Sequence, residues 1–177
     1  MLPLADEFAQ PDFHYVAPQA ANHTWYPYSF LEPKEKNQPG ISSGLQKIYN
    51  LIQSLKKDGI PQEKIMLLGF SQGACLATEF AARHPEKYGG VVGFSGGLIG
   101  PDIQFNQYSG DLQHTPVFLG CSDVDPHIPE ERVNETERVF QQLGASVNKK
   151  LYEGMPHTVN EDEIKIVRGM MANLLSA

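Results

Sequence analysis

Residues 64–84 confine this chain to few folds. An apolar run, Lys64-Ile65-Met66-Leu67-Leu68-Gly69, has the length and character of a strand covered on both faces. It passes through Gly69-Phe70-Ser71-Gln72-Gly73 into a helix with Leu76, Ala77, Phe80 and Ala81 inward, which stops near His84-Pro85. A buried strand running into a helix through G-x-S-x-G is the setting of a nucleophile elbow. The sharp turn holds its serine in a strained backbone conformation. Glycines two positions either side, Gly69 and Gly73, are expected to remove side chains that would collide with the flanking helix and strand. Ser71 would then stand at the carboxyl end of the sheet, where open α/β folds bind ligands, with helix N-terminal N–H groups facing any negative charge formed nearby. The alternative is that Ser71 simply caps a helix; the strand before it favours the elbow.

The remaining pattern gives the fold class. Leu2 to Phe8 reads as the end of a helix, and His14–Ala17 as a strand closed by Pro18. Residues 18–40, rich in proline, aromatic and polar side chains, form a long loop. Leu45, Ile48, Tyr49, Ile52 and Leu55 recur at helical spacing between Gly44 and Lys57, before Gly59 and Pro61. Gly90–Phe94 and Pro116–Gly120 are buried strands, Glu130–Leu143 a helix ended by Gly144, Ser146–Tyr152 a strand and Glu161–Leu175 a terminal amphipathic helix. Strands alternating with helices predict an α/β fold, a mainly parallel sheet with helices on both faces. The 177 residues suit one domain, 1–177, around a single core.

Charge narrows the partners. A net charge of −7 leaves no basic face for nucleic acid or an anionic membrane surface. No apolar run is long enough to span a membrane, and no basic flank with an apolar stretch marks a signal peptide. Cys75 and Cys121 have no metal or redox spacing and sit in apolar stretches, so two buried thiols in a reducing cytoplasm are expected in preference to a disulfide.

A serine hydroxyl needs a base, commonly a histidine oriented by an acid. In the elbow-containing hydrolases the chain order is serine, acid, histidine. His14 and His23 precede Ser71, His84 ends a helix where a cationic cap is ordinary, and His114 lies at the far end of a strand. His157, in the loop after the last strand, stands where the base belongs. Asp123 and Asp125 both follow the strand ending near Gly120; Asp125 is favoured, with Asp123 shaping the loop. His127 is a pocket residue or an exposed loop histidine.

With these residues placed, the chain resembles the phospholipase/carboxylesterase family of α/β-hydrolases, which includes the acyl-protein thioesterases. The resemblance runs over almost the whole length. It rests on Gly69-Phe70-Ser71-Gln72-Gly73, on Gly120-Cys121-Ser122-Asp123-Val124-Asp125-Pro126-His127-Ile128-Pro129 and on Tyr152-Glu153-Gly154-Met155-Pro156-His157. It implies a small, lidless esterase with no metal and no organic cofactor, in which Asp125, the second aspartate of D-x-D-P, is the acid, the Gln72 N–H serves the oxyanion hole, and Trp25, Tyr26 and Ile128 shape the substrate pocket. Trp25 reads equally as a loop anchor on the core. His127 stands where family members often carry an apolar residue. The family pattern also has an earlier strand and a histidine-glycine-x-glycine loop supplying a second oxyanion donor, whereas this sequence opens inside the first helix. An N-terminally shortened sheet is therefore expected, which either closes up or finds its missing pairing in a second copy, as a homodimer.

These features point to a serine carboxylesterase acting on small to medium acyl esters through Ser71, His157 and Asp125. Acyl-thioesterase and lysophospholipase activities use the same chemistry with a different pocket. The rival of another class is a non-catalytic acyl-binding protein that has lost turnover with the oxyanion loop.

Overall fold

The computed structural model describes residues 2–176. Its centre is a four-stranded sheet in the order β1-β2-β3-β4, every pair parallel: β1 Met66–Phe70, β2 Gly90–Phe94, β3 Pro116–Ser122 and β4 Ser146–Tyr152. Five α-helices accompany it among the described residues: α1 Leu2–Phe8, α2 Gly40–Lys57, α3 Gln72–Arg83, α4 Glu130–Gln142 and α5 Glu161–Ser176.

Strand alternation divides the core between the two faces. Leu67, Val91, Val117, Leu119 and Cys121 join the cluster formed with α2, α3 and α4. Val92, Phe94 and Phe118 join Phe8 of α1 and Ile164, Val167 and Met171 of α5, with Met66, Leu68 and Phe70 packed beside them. Helices thus cover both faces, as the alternation of elements predicts. Strand β2 is buried at every position, which explains its unbroken apolar reading. Cys75 and Cys121 are free, buried thiols.

Two boundaries differ from the sequence reading. Helix α2 begins at Gly40, not Gly44, because the Gln38 side chain accepts hydrogen bonds from the Ser42 N–H (3.2 Å) and hydroxyl (2.7 Å) and so supports a first turn of weak helix formers. The expected strand at His14–Ala17 is not a strand. Among the described residues the segment joins no ladder of the sheet, and what this stretch adds is apolar: Phe13, just before it, and Tyr15 pack against the α1–α5 side of the core, Tyr15 stacking on Phe8 at 6.5 Å. Nor does this segment pair with β1. Strand β1 is an edge, laddered to β2 alone.

Candidate active site

The turn between β1 and α3 has the conformation that the sequence demands of it. Ser71 lies at φ 53°, ψ −120°, a strained region for any residue with a side chain. Its N–H donates to the Phe94 carbonyl (2.9 Å) and its carbonyl accepts from the Cys75 N–H (3.0 Å), so β2 and the first turn of α3 hold the strain in place. Gly69 is required by contact, since a Cβ there would stand 2.2 Å from the Gly73 backbone. Gly73 is not. A Cβ at Gly73 meets nothing within 4 Å, so the expected collision is one-sided: it is the backbone of Gly73 that crowds Gly69. Gly96, just beyond β2, is as tightly placed, its Cβ position lying 2.5 Å from Ala74 Cβ and 3.0 Å from the Ser71 carbonyl.

Three side chains far apart in sequence meet at the carboxyl end of the sheet. Ser71 Oγ lies 2.9 Å from His157 Nε2, and His157 Nδ1 lies 2.7 Å from Asp125 Oδ2. The acid loop follows β3 and the histidine loop follows β4, as their order in the sequence implies. The Asp125 side chain is fully buried and that of His157 is 19% exposed. Burial by itself would push the Asp125 carboxyl up. Hydrogen bonds from His157 and from the N–H groups of His127 (2.8 Å) and Ile128 (3.0 Å) outweigh it and hold the group below its ordinary value. An ionised Asp125 accepts only, so His157 Nδ1 carries the proton and Nε2 presents its lone pair to the serine hydroxyl.

Neighbours fix this geometry. The buried Cys121 thiol lies 3.8 Å from Asp125 Oδ2, and desolvation pushes that thiol up to about 12, so it stays a protonated donor. The imidazole of His157 sits between Phe70 and His127, each with its ring centre 4.9 Å away. Asp123, the other aspartate of the loop, accepts the Gly154 N–H at 2.8 Å and so ties the acid loop to the histidine loop, a shaping role. His84 packs against Phe80 and Tyr49, and burial holds its imidazole below the ordinary value, which disfavours the expected cationic cap.

The remaining residues singled out in the sequence divide. Gln72 is the first residue of α3, where a backbone N–H has no intrahelical partner. Trp25 is half-buried and packs against the core. Tyr26 and Ile128 are each only 3% exposed, so they shape the surroundings from within the core and do not form an open wall. Among the described residues no group of acidic, histidine and cysteine side chains is arranged to hold a metal. No described helix is long and apolar enough to cross a membrane.

The model of one protein family, Phospholipase/Carboxylesterase, matches residues 8–175. The chain belongs to this family. Among its relatives, acyl-protein thioesterase 1 of Saccharomyces cerevisiae is 29% identical over 172 residues, covering 94% of this chain and 76% of the yeast protein. Acyl-protein thioesterase 1 of Kluyveromyces lactis is 35% identical over 143 residues, 78% of this chain and 62% of that protein. Of the solved structures, a phospholipase/carboxylesterase from Dyadobacter fermentans superposes with a TM-score of 0.85 at 43% identity, covering 88% of this chain and 75% of that one. The architecture is thus that of the α/β-hydrolase carboxylesterases, and the named relatives are hydrolases.

Two features of the site lie outside the residues singled out in the sequence. The side chain of Gln72 reaches residues 24–26, a contact across almost fifty positions that no local pattern announces. Glu163, in α5, pairs with Asn160 at the end of the histidine loop: the Asn160 N–H donates to Glu163 Oε2, and the Glu163 N–H donates to Asn160 Oδ1, both at 2.9 Å. This reciprocal cap has a sequence signature, Asn160-x-x-Glu163 before an apolar-periodic helix.

Proposed function

We propose that this chain is a serine carboxylesterase acting on small to medium acyl esters. The observation that carries the reading is the unbroken hydrogen-bonded path from Ser71 Oγ through His157 to Asp125. In this reading Ser71 Oγ attacks the carbonyl carbon as His157 Nε2 takes its proton. The carbonyl oxygen becomes an oxyanion that the Gln72 N–H stabilises, a single donor of this kind being worth on the order of 100- to 1000-fold in rate. Asp125 keeps the imidazole in its working tautomer and stabilises the imidazolium. His157 then gives the proton to the departing alcohol as the carbon–oxygen bond breaks. Water, deprotonated by the same imidazole, attacks the acyl-enzyme and releases the acid and Ser71.

A thioester fits the same steps with a thiol departing, and the likeness to two yeast proteins named acyl-protein thioesterases favours that substrate class as the second reading. A reducing, cytoplasmic setting suits the two buried thiols. The unpaired edge of β1 is consistent with a homodimer, which sedimentation velocity would test directly.

The deciding experiment is hydrolysis of a p-nitrophenyl ester series from acetate to laurate, with palmitoyl-CoA alongside, by wild type and Ser71→Ala. Turnover lost in the variant supports the reading, and the preference among substrates separates ester from thioester. Wild-type rates no higher than those of the variant would sink it and favour an acyl-binding protein without turnover.

A further inference from the structure

Residues Thr24–Tyr26 form a strap that belongs to no sheet, yet it is held from two sides. On one side the Gln72 carboxamide reads its backbone: the Trp25 N–H donates to Gln72 Oε1 at 2.8 Å, and Gln72 Nε2 donates to the Tyr26 carbonyl at 2.9 Å. Nε2 also lies 3.3 Å from Thr24 Oγ1, whose own hydroxyl donates to the Tyr26 carbonyl at 2.9 Å. On the other side Gly40, at the start of α2, approaches so closely that a Cβ there would lie 2.5 Å from the Trp25 carbonyl. Tyr26 is anchored in the core, and the indole of Trp25 lies over Gly44 of α2 while remaining half-exposed.

The carboxamide acts toward the strap as a peptide group would, one acceptor and one donor for two successive backbone groups. Glutamate would lose the donor and an aliphatic side chain both. Its position matters as much as its chemistry. Gln72 directly follows Ser71, so the residue next to the nucleophile position is also bonded, through its side chain, to the backbone of Trp25 and Tyr26.

We propose that the Gln72 side chain is a specificity-determining clamp, which locks the Trp25 strap to the nucleophile turn and thereby sets which acyl chains are accepted. The inference rests on Ser71 being the nucleophile. It differs from the oxyanion role of Gln72, which any residue with a backbone N–H fulfils.

Trp25 is the one tryptophan of the sequence, so its fluorescence reports the strap alone. In Gln72→Leu, loss of two hydrogen bonds is expected to raise acrylamide quenching about twofold and to shift the emission to the red. The kcat/KM for the laurate ester should fall about tenfold and that for the acetate ester about twofold, so that chain-length selectivity flattens. Gln72→Asn keeps both polar groups one methylene short, and serves if the leucine variant does not fold; it should move both readings in the same direction. Unchanged quenching together with an unchanged ratio of laurate to acetate rates in the folded variant would overturn the clamp. Quenching needs no turnover: a Trp25 released in a protein whose wild type hydrolyses no ester would show that Gln72 holds the strap, while sinking the esterase reading and with it the clamp's role in chain-length selection.

Discussion

Ser71 and Asp125 come from strands of unequal standing. Asp125 follows β3, an interior strand with ladders to β2 and β4. Its carboxylate is met by two backbone N–H groups, a thiol and an imidazole, and its loop is tied to the histidine loop through Asp123. Ser71 follows β1, an edge strand whose outer backbone groups have no ladder partner. Ser71 is therefore held from the β2 side and by the turn itself: the bond from Ser71 to Phe94, the fit of Gly69 against Gly73, and the close approach of Gly96 to Ala74.

The opposite edge sharpens the point. Strand β4 carries Lys149 and Lys150, which pair with Glu137 and Asp162, and such charges discourage further strands from adding. Strand β1, Met-Leu-Leu-Gly-Phe, has no charge at all.

Breaking each half should have a different signature. Asp125→Asn leaves the sheet and the turn intact but removes the acceptor that sets the imidazole tautomer. Its kcat on a p-nitrophenyl ester should fall on the order of 10⁴-fold, with far-UV circular dichroism and Tm close to wild type. Gly69→Ala forces a methyl group against the Gly73 backbone where nothing flexible can yield. Urea unfolding should register a loss of about 3–5 kcal/mol, with activity falling in step because the turn itself is displaced.

A smaller effect lies under the histidine loop. Glu163 is fully buried, and among the described residues its Oε1 has no hydrogen-bond partner. Desolvation pushes this carboxyl up to about 7, against which the Asn160 N–H works. The folded state therefore favours the protonated acid more than the unfolded chain does. The associated stability is complete below the unfolded value, near 4.5, and is lost as pH rises through about 7. Glu163→Gln keeps an acceptor for Asn160 without the charge. Between pH 5 and pH 8 wild type should lose about 1–3 kcal/mol relative to the variant, read as a widening gap in Tm. A gap that stays constant across that range would show that Glu163 does not titrate there.

The difference between the two halves also explains what the sequence disclosed. Ser71, Asp125 and His157 could be singled out in the sequence because each sits where a loop leaves the carboxyl end of a strand; chain order set aside His14 and His23, and position at element ends set aside His84 and His114. The buried strands were legible from unbroken apolar runs. His14–Ala17 misled because a short run closed by proline reads as a strand whether or not a neighbour pairs with it, and here Phe13 and Tyr15 pack on the α1–α5 side of the core. Tyr26 and Ile128 were assigned to the pocket on resemblance, while their burial is a property of the whole fold. Gly73 was read symmetrically with Gly69, although only the geometry of the turn distinguishes them. The Gln72 clamp was invisible for the same reason as the end of the Glu163 side chain: both depend on what lies opposite in space.

The central claim is that Ser71 is an activated nucleophile although its strand is an edge. Fluorophosphonate labelling followed by intact-mass measurement tests it most directly, since phosphonylation requires activation of the hydroxyl but not completed turnover. The account predicts one adduct per chain on the peptide containing Ser71, with labelling abolished in Ser71→Ala and slowed strongly in Asp125→Asn. A wild-type protein that is folded, by circular dichroism, and stays unlabelled would contradict it.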